Sequence, residues 1–385
     1  MPFIEDIFIM DEIFSMERKI EQQYGIPILN VSHWNSSKNF QKQMAKALVL
    51  PKQSLPWDYY YTYSISPEDR KQVLAKLGVS SQQQPYTMGL LLQSSTIAIV
   101  NVINLLIHFG KKKLCILQPA YFSVELCCSR LSLEYETEQI SFKNACPQIP
   151  IEKIISKNYD CIWITSPIFC TGYYPDEKLL QDIACLKSMG MTIILDESLS
   201  LPEKELIRFF QIDKNLIAIY SPHKAISING LKFAVVVCDK FYEDFLEQWV
   251  DVFAGALSSS NRDAIFHYIS PNFSNNCYQA YKSYIEQTKN IVSNIVEQYH
   301  FAWMLPNTNG HYINIFTNLK VQGTNEMLNL LNDMIQTSLA SIIPSTLNGF
   351  DSNNGFSFRV NLTNDIIELD NAINRIMKFL NTSCH

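Results

Sequence analysis

Lys224 stands in the run Ser221-Pro222-His223-Lys224-Ala225-Ile226-Ser227-Ile228-Asn229-Gly230-Leu231-Lys232, between the apolar stretches 216–220 and 233–238. A lysine on a short connection between two apolar strands is a poor surface lysine. Partial burial and a cationic neighbour such as Lys232 both disfavour its ammonium form and free the amine as a nucleophile, which is the chemistry of a Schiff-base lysine. Taken alone, Lys224 would more often be a solvated loop residue. The polar residues at the ends of other predicted elements argue for chemistry instead.

Gln93-Ser94-Ser95-Thr96 precede an apolar helical stretch, which gathers backbone amides and hydroxyls at a helix N-terminus, a natural phosphate site. Tyr121, in Pro119-Ala120-Tyr121, offers an aromatic face after a strand, and could equally be a core tyrosine. Asp196-Glu197 closes another strand, where the bland reading of Asp196 is a helix N-cap. Arg359 lies between Phe358 and Val360 in a predicted strand, which disfavours a purely solvated role.

The elements that must position these residues follow from hydrophobic periodicity. Continuous apolar runs at 113–118, 161–165, 191–196, 216–220 and 233–238 read as strands covered on both faces, as in a mostly parallel sheet. Residues 176–190 carry leucine and isoleucine at helical spacing before a glycine stop, so strand, crossover helix and strand alternate as in an α/β fold. Ligands of such sheets bind at the carboxyl ends of the strands, where Thr165, Ser166, Asp196 and Ser221 fall. From about residue 277 the pattern changes. A helix over 278–301, strands at 310–316 and 357–362, and helices at 325–339 and 366–380 predict a smaller α+β domain. The expected division is a large α/β domain over 46–290 and a small domain from 1–45, with a helix over 6–24, and 291–385.

With 385 residues, two domains are expected. Hydrophobic residues reach 47%, but charged ones only 18%, below the roughly 25% of a typical soluble protein; such a deficit predicts surface hidden between subunits. The net charge of -6, with both signs interspersed, argues against a nucleic-acid or membrane footprint. The apolar stretch 97–107 is too short to span a bilayer and is broken by Asn101 and Asn104. Acidic residues near the N-terminus do not read as a signal peptide. Ten scattered cysteines without a Cys-x-x-Cys pair fit a reduced, cytoplasmic setting, and seven histidines show no metal-ligand spacing, so no metal is expected.

The ordered set resembles the class I/II aminotransferases, pyridoxal-phosphate enzymes of the aspartate aminotransferase fold, over nearly the whole chain. The likeness rests on Ser221-x-x-Lys224 with Gly230 and Lys232 beyond it, the strand-terminal Asp196, Arg359 near the C-terminus, and Pro306–Tyr312 as the entry into a small-domain strand. It implies that Lys224 holds pyridoxal 5'-phosphate as an internal aldimine and then shuttles a proton, while Asp196 pairs with the ring nitrogen. Tyr121 would stack on the ring, and Ser94, Ser95, Ser221 and Lys232 would bind the phosphate. Tyr60 would reach the phosphate of the other subunit of a homodimer. Arg359 would clamp the α-carboxylate, with Trp34 and Phe169 lining an apolar substrate pocket. The implied activity is amino-group exchange between an α-amino acid and a keto acid.

Several positions depart from the family. The motif Asn-Pro-x-Asn-Pro-Thr-Gly stands here as Ser166-Pro167-Ile168-Phe169-Cys170-Thr171-Gly172, and Leu199 replaces a tyrosine three residues after Asp196. Both usual partners of the cofactor's 3-oxygen are therefore replaced, which predicts an abnormal aldimine pKa. Lys232 stands where an arginine is usual, and His223 beside Lys224 is reminiscent of pyridoxal-phosphate decarboxylases. These departures keep two alternatives open: a decarboxylase or lyase/cyclase of the same fold, and a non-catalytic binding protein.

Overall fold

A computed structural model of the protein describes residues 2–47, 67–142, 145–201, 204–225, 232–254 and 271–383. Its largest sheet has seven strands: β1 (Thr87–Leu92), β2 (Lys113–Gln118), β3 (Glu134–Gln139), β4 (Cys161–Thr165), β5 (Thr192–Glu197), β6 (Leu216–Tyr220) and β7 (Ala234–Asp239). They lie in the order β1-β7-β6-β5-β4-β2-β3. β2 to β6 run parallel, while β7 is antiparallel to both of its neighbours. The mostly parallel α/β sheet expected from the apolar runs is therefore present, with one reversed strand.

The runs are continuous because successive residues serve two different cores. Ile162, Ile164, Ile193, Leu195, Ala218 and Tyr220 pack into one cluster. Cys161, Trp163, Ile194, Ile217 and Ile219 pack into another, with Ala98, Ile99 and Val102 of the helix Ser95–His108. Side chains alternate across a strand, so a strand covered on both faces must be apolar at every position. The crossover helix Glu177–Ser188 starts where Asp176 accepts a hydrogen bond from the Leu179 N–H. That side-chain oxygen satisfies one of the donors a helix N-terminus leaves free.

A second, three-stranded antiparallel sheet joins β8 (Ala302–Met304), β9 (Tyr312–Thr317) and β10 (Ser357–Asn361), in the order β10-β9-β8. Its core takes residues from the helices Pro2–Tyr24, Pro271–Val296, Gly323–Ser338 and Ile366–Ser383. Leu29–Asn30 pairs in parallel with Ala340–Ser341, so the N-terminal segment packs with the C-terminal elements. The helix predicted over 278–301 instead ends at Val296, and Ala302 begins β8. β1, β3 and the short pair Leu29–Asn30 with Ala340–Ser341 are further strands that apolar runs did not reveal.

Candidate active site

Strand parity brings the polar groups together. Residues 163, 194 and 219 point to the face covered by the helix Ser95–His108, so Thr165, Asp196 and Ser221, two residues further on, continue toward the same side. Thr165 and Asp196 are register partners on adjacent strands. Ser94 begins the covering helix: its side chain accepts from the Ile97 N–H at 3.2 Å. That N-terminus therefore meets the carboxyl ends of β4, β5 and β6. A cavity of about 420 Å³ opens there, lined among others by Ser94, Ser95, Tyr121, Asp196, Lys224 and Lys232. Its size is within the range of small-molecule sites, ~300–1,000 Å³.

Lys224 lies on the short helical turn Pro222–Ala225, where its N–H donates to the Ser221 carbonyl at 2.8 Å. Its Nζ donates to Ser95 Oγ at 2.5 Å and sits 5.7 Å from the centre of the Tyr121 ring. Burial lowers its pKa, Asp196 opposes that shift, and Lys232 adds to it. Asp196 is 3% exposed, and burial raises its pKa against the pull of Ser198 and Lys224. Each charge is disfavoured by its surroundings, and the two groups attract without forming an ion pair. His223 is held neutral, its pKa pushed down to about 3 by burial and by the two lysines. Its Nδ1 faces the Phe233 N–H at 3.4 Å.

The cavity's other wall is aromatic. Trp34 lies 5.2 Å from Tyr312, 6.1 Å from Phe169 and 6.3 Å from Tyr121, ring centre to ring centre. Behind it, the Arg359 guanidinium stacks 3.8 Å from the Trp34 ring. Arg359 is 1% exposed. Its Nε donates to the Ser32 carbonyl at 2.8 Å and its Nη1 to Asn348 Oδ1 at 3.1 Å, with Cys170 Sγ 3.9 Å away, whereas Nη2 is buried without a partner. Among the described residues no carboxylate pairs with it.

Backbone contacts fix this wall. Asn361 Nδ2 donates to the carbonyls of His33 and Asn35, pinning the segment that carries Trp34 to the end of β10. The loop after β4 carries Phe169. Its Ser166 N–H donates to the Asp196 carbonyl at 2.9 Å, and its Gly172 carbonyl accepts from the Asn309 N–H at 2.6 Å. Gly172 has φ +68°, and a Cβ there would lie 2.6 Å from the Tyr312 carbonyl oxygen, so this turn requires glycine.

Of the residues singled out in the sequence, Lys224, Asp196, Ser94, Ser95, Tyr121, Lys232, Trp34 and Phe169 line one cavity. Ser221 is 1% exposed and its Oγ has no partner. Arg359 is behind Trp34 rather than in the cavity wall. Tyr60 lies outside the described residues. Phe169 and Leu199, which replace the polar residues of the family pattern, both face the cavity. The sequence alone did not assign Tyr312, His311, Ser198 or Thr165 to the site, although all four line it. Thr165 was legible as a strand-end hydroxyl; its Oγ1 is buried without a partner. Among the described residues no cluster of histidine, cysteine and acidic side chains could hold a metal, and no helix is long and apolar enough to cross a membrane.

No protein-family model matches the sequence, and no curated protein matches it. Solved structures do. An aminotransferase from Mycobacterium tuberculosis aligns at 15% identity over 97% of this chain and 96% of that one, with a TM-score of 0.75. Alanine aminotransferase from Pyrococcus furiosus aligns at 13% identity over 97% of both chains, with a TM-score of 0.74. Cystalysin from Treponema denticola, whose crystal structure contains a pyridoxal 5'-phosphate cofactor, aligns at 16% identity over 95% of both chains, with a TM-score of 0.70. The chain thus has the fold of the pyridoxal-phosphate-dependent transferases of the aspartate aminotransferase type.

Proposed function

We propose that the protein is a pyridoxal-phosphate-dependent aminotransferase that exchanges an amino group between an α-amino acid and a keto acid. The observation that carries this reading is the Lys224–Asp196 pair. Two groups of opposite charge, Asp196 buried and Lys224 half-buried, share a cavity, both are pushed toward neutrality by desolvation, and they form no ion pair. Such an arrangement is unfavourable unless a ligand completes it.

Pyridoxal phosphate fits the residues present. It supplies, when bound, an aldehyde that condenses with primary amines and a ring that accepts electrons from the substrate Cα. Lys224, with its ammonium disfavoured, is the amine that would hold it and afterwards the base that moves the Cα proton. Asp196 would hold the proton on the ring nitrogen, and gains there the cation that its burial lacks. Ser94, Ser95, the unpartnered Ser221 hydroxyl and Lys232 would take the phosphate at the helix N-terminus. Tyr121 would cover the ring. Arg359, a buried cation without a carboxylate partner, would receive the substrate α-carboxylate at Nη2.

In this reading residues 46–290 form the cofactor-binding domain and 1–45 with 291–385 the smaller one, except that Cys277, Tyr281, Tyr284 and Ile285 of the helix Pro271–Val296 pack into the smaller domain's core. The enzyme acts as a cytoplasmic homodimer to which Tyr60 contributes across the interface. Borohydride reduction of the purified protein followed by peptide mapping tests the assignment: the cofactor is expected on the peptide containing Lys224. Label elsewhere, or none in a protein that has taken up the cofactor, would refute it. Phe169 and Leu199 at the cavity wall favour a second reading, a decarboxylase or lyase using the same cofactor. Incubation with amino acids separates them: a keto acid whose amino group reappears on an added acceptor keto acid supports the aminotransferase, a keto acid with free ammonia supports the lyase, and carbon dioxide without keto acid supports the decarboxylase.

A further inference from the structure

The surroundings of Trp34 carry the reading further, to the class of substrate. One face of its indole covers the Arg359 guanidinium at 3.8 Å, and its ring also packs with Phe169, Tyr121 and Tyr312. Nε and Nη1 of Arg359 are engaged by Ser32 and Asn348, so the unpartnered donor is Nη2, at the guanidinium edge. Trp34 covers one face at 3.8 Å and Tyr312 lies 5.6 Å from the guanidinium, so an anion that reaches Arg359 would approach Nη2 in the plane of the fork, past Trp34, because Arg359 itself does not line the cavity.

A dicarboxylic substrate needs a second cation for its distal carboxylate. The lysines that line the cavity are Lys224 and Lys232, which the proposed chemistry already employs; of its two histidines His223 is buried and neutral, and His311 is buried against the Tyr312 ring at 4.2 Å. Beside Trp34 the wall offers aromatic rings and, among the described residues, no further lysine or arginine. A bulky apolar side chain laid there would gain area burial and ring–ring contact, whereas a carboxylate would lose hydration without compensation.

We propose that the cavity selects α-amino acids with aromatic or comparably bulky apolar side chains over dicarboxylic ones, and that Trp34 sets this choice. Trp34 stands between the cavity and the Arg359 fork that Ser32 and Asn348 hold, so it controls how an α-carboxylate reaches Nη2. With Phe169 and Tyr312 it also forms the surface on which the substrate side chain lies. This inference rests on the aminotransferase reading, but its test does not require turnover.

Calorimetric titration of the holoenzyme with 3-phenylpropanoate and with butanedioate, two carboxylates that lack an amine, provides that test. The expected result is at least tenfold tighter binding of 3-phenylpropanoate. Trp34→Ala should weaken that ligand at least tenfold, and Trp34→Phe should restore most of the loss, with circular dichroism confirming that both variants fold. Equal or tighter binding of butanedioate by the wild-type protein overturns the proposal, whatever the variants do. An enzyme that forms keto acids but prefers butanedioate refutes this inference alone. A protein that prefers 3-phenylpropanoate but converts no amino acid refutes the aminotransferase reading and leaves the selectivity of the cavity standing.

Discussion

Asp196 and Glu197 are consecutive residues on β5, point to opposite faces of the same sheet, and are both almost fully buried. Glu197 is enclosed by protein donors: the Tyr220 hydroxyl at 2.6 Å, the Leu206 N–H at 2.5 Å and the Ser200 hydroxyl at 3.3 Å. Asp196 accepts from the Ser198 N–H at 3.2 Å, has the Ser198 hydroxyl and the Trp163 indole N–H beside it, and faces the cavity. Burial raises the pKa of both, that of Glu197 to about 8. A polar cluster that closes on itself serves the fold, whereas one left open in a cavity calls for a partner from outside.

Four measurements probe that contrast. Lys224→Ala, on the open side, should reduce turnover on the order of a thousandfold or more and abolish borohydride labelling of its peptide. Asp196→Ala should cost about 10²–10³-fold in kcat, the size of losing one preorganised electrostatic group, whereas Glu197→Gln should stay within a few-fold of wild type. Comparable activity losses at 196 and 197 would erase the distinction between the two faces.

The third test uses pH. The folded-state pKa of Glu197, about 8, lies above its ordinary 4.5, so the folded protein keeps a proton that the unfolded chain releases. The resulting stabilisation is fully present below the ordinary value and fades as pH rises toward 8. Every tenfold difference in proton affinity between the two states is worth ~1.4 kcal/mol, so the decline amounts to a few kcal/mol. Thermal unfolding followed from pH ~5 to ~9 should show this decline in the wild type and a flatter profile in Glu197→Gln. The smallest effect belongs to Tyr220→Phe, which removes one donor from the closed cluster. It should lower stability by about 1–2 kcal/mol in denaturant titration and leave kcat unchanged.

The same contrast marks what the sequence could reveal. Lys224 and Asp196 were legible because each follows or ends an apolar run, and run ends locate the ligand side of such a sheet, whereas Ser94-Ser95 were legible as polar residues just ahead of an apolar helical stretch. Nothing in the dipeptide Asp196-Glu197 says which acid is enclosed, since that depends on Tyr220, Ser200 and Leu206 arriving from elsewhere. The cover of Trp34 over Arg359 was hidden for a similar reason: it depends on Asn361 holding the segment 33–35, more than 300 positions away in the chain. β3 escaped notice because Glu134-Tyr135-Glu136-Thr137-Glu138-Gln139 is an edge strand with little apolar surface. The reversal of β7 left no trace because a strand buried on both faces has the same composition in either direction.

The loop after β4 is tethered at both ends, by Ser166 to the Asp196 carbonyl and by Gly172 to Asn309 just ahead of β9. With so little slack between these anchor points, the loop acts as a short strut rather than a flap. If the three-stranded sheet rocks, the displacement is passed straight to the strand tip that bears the acid. A shift at Asn309 would thereby be felt at the opposite side of the cleft, beside Asp196.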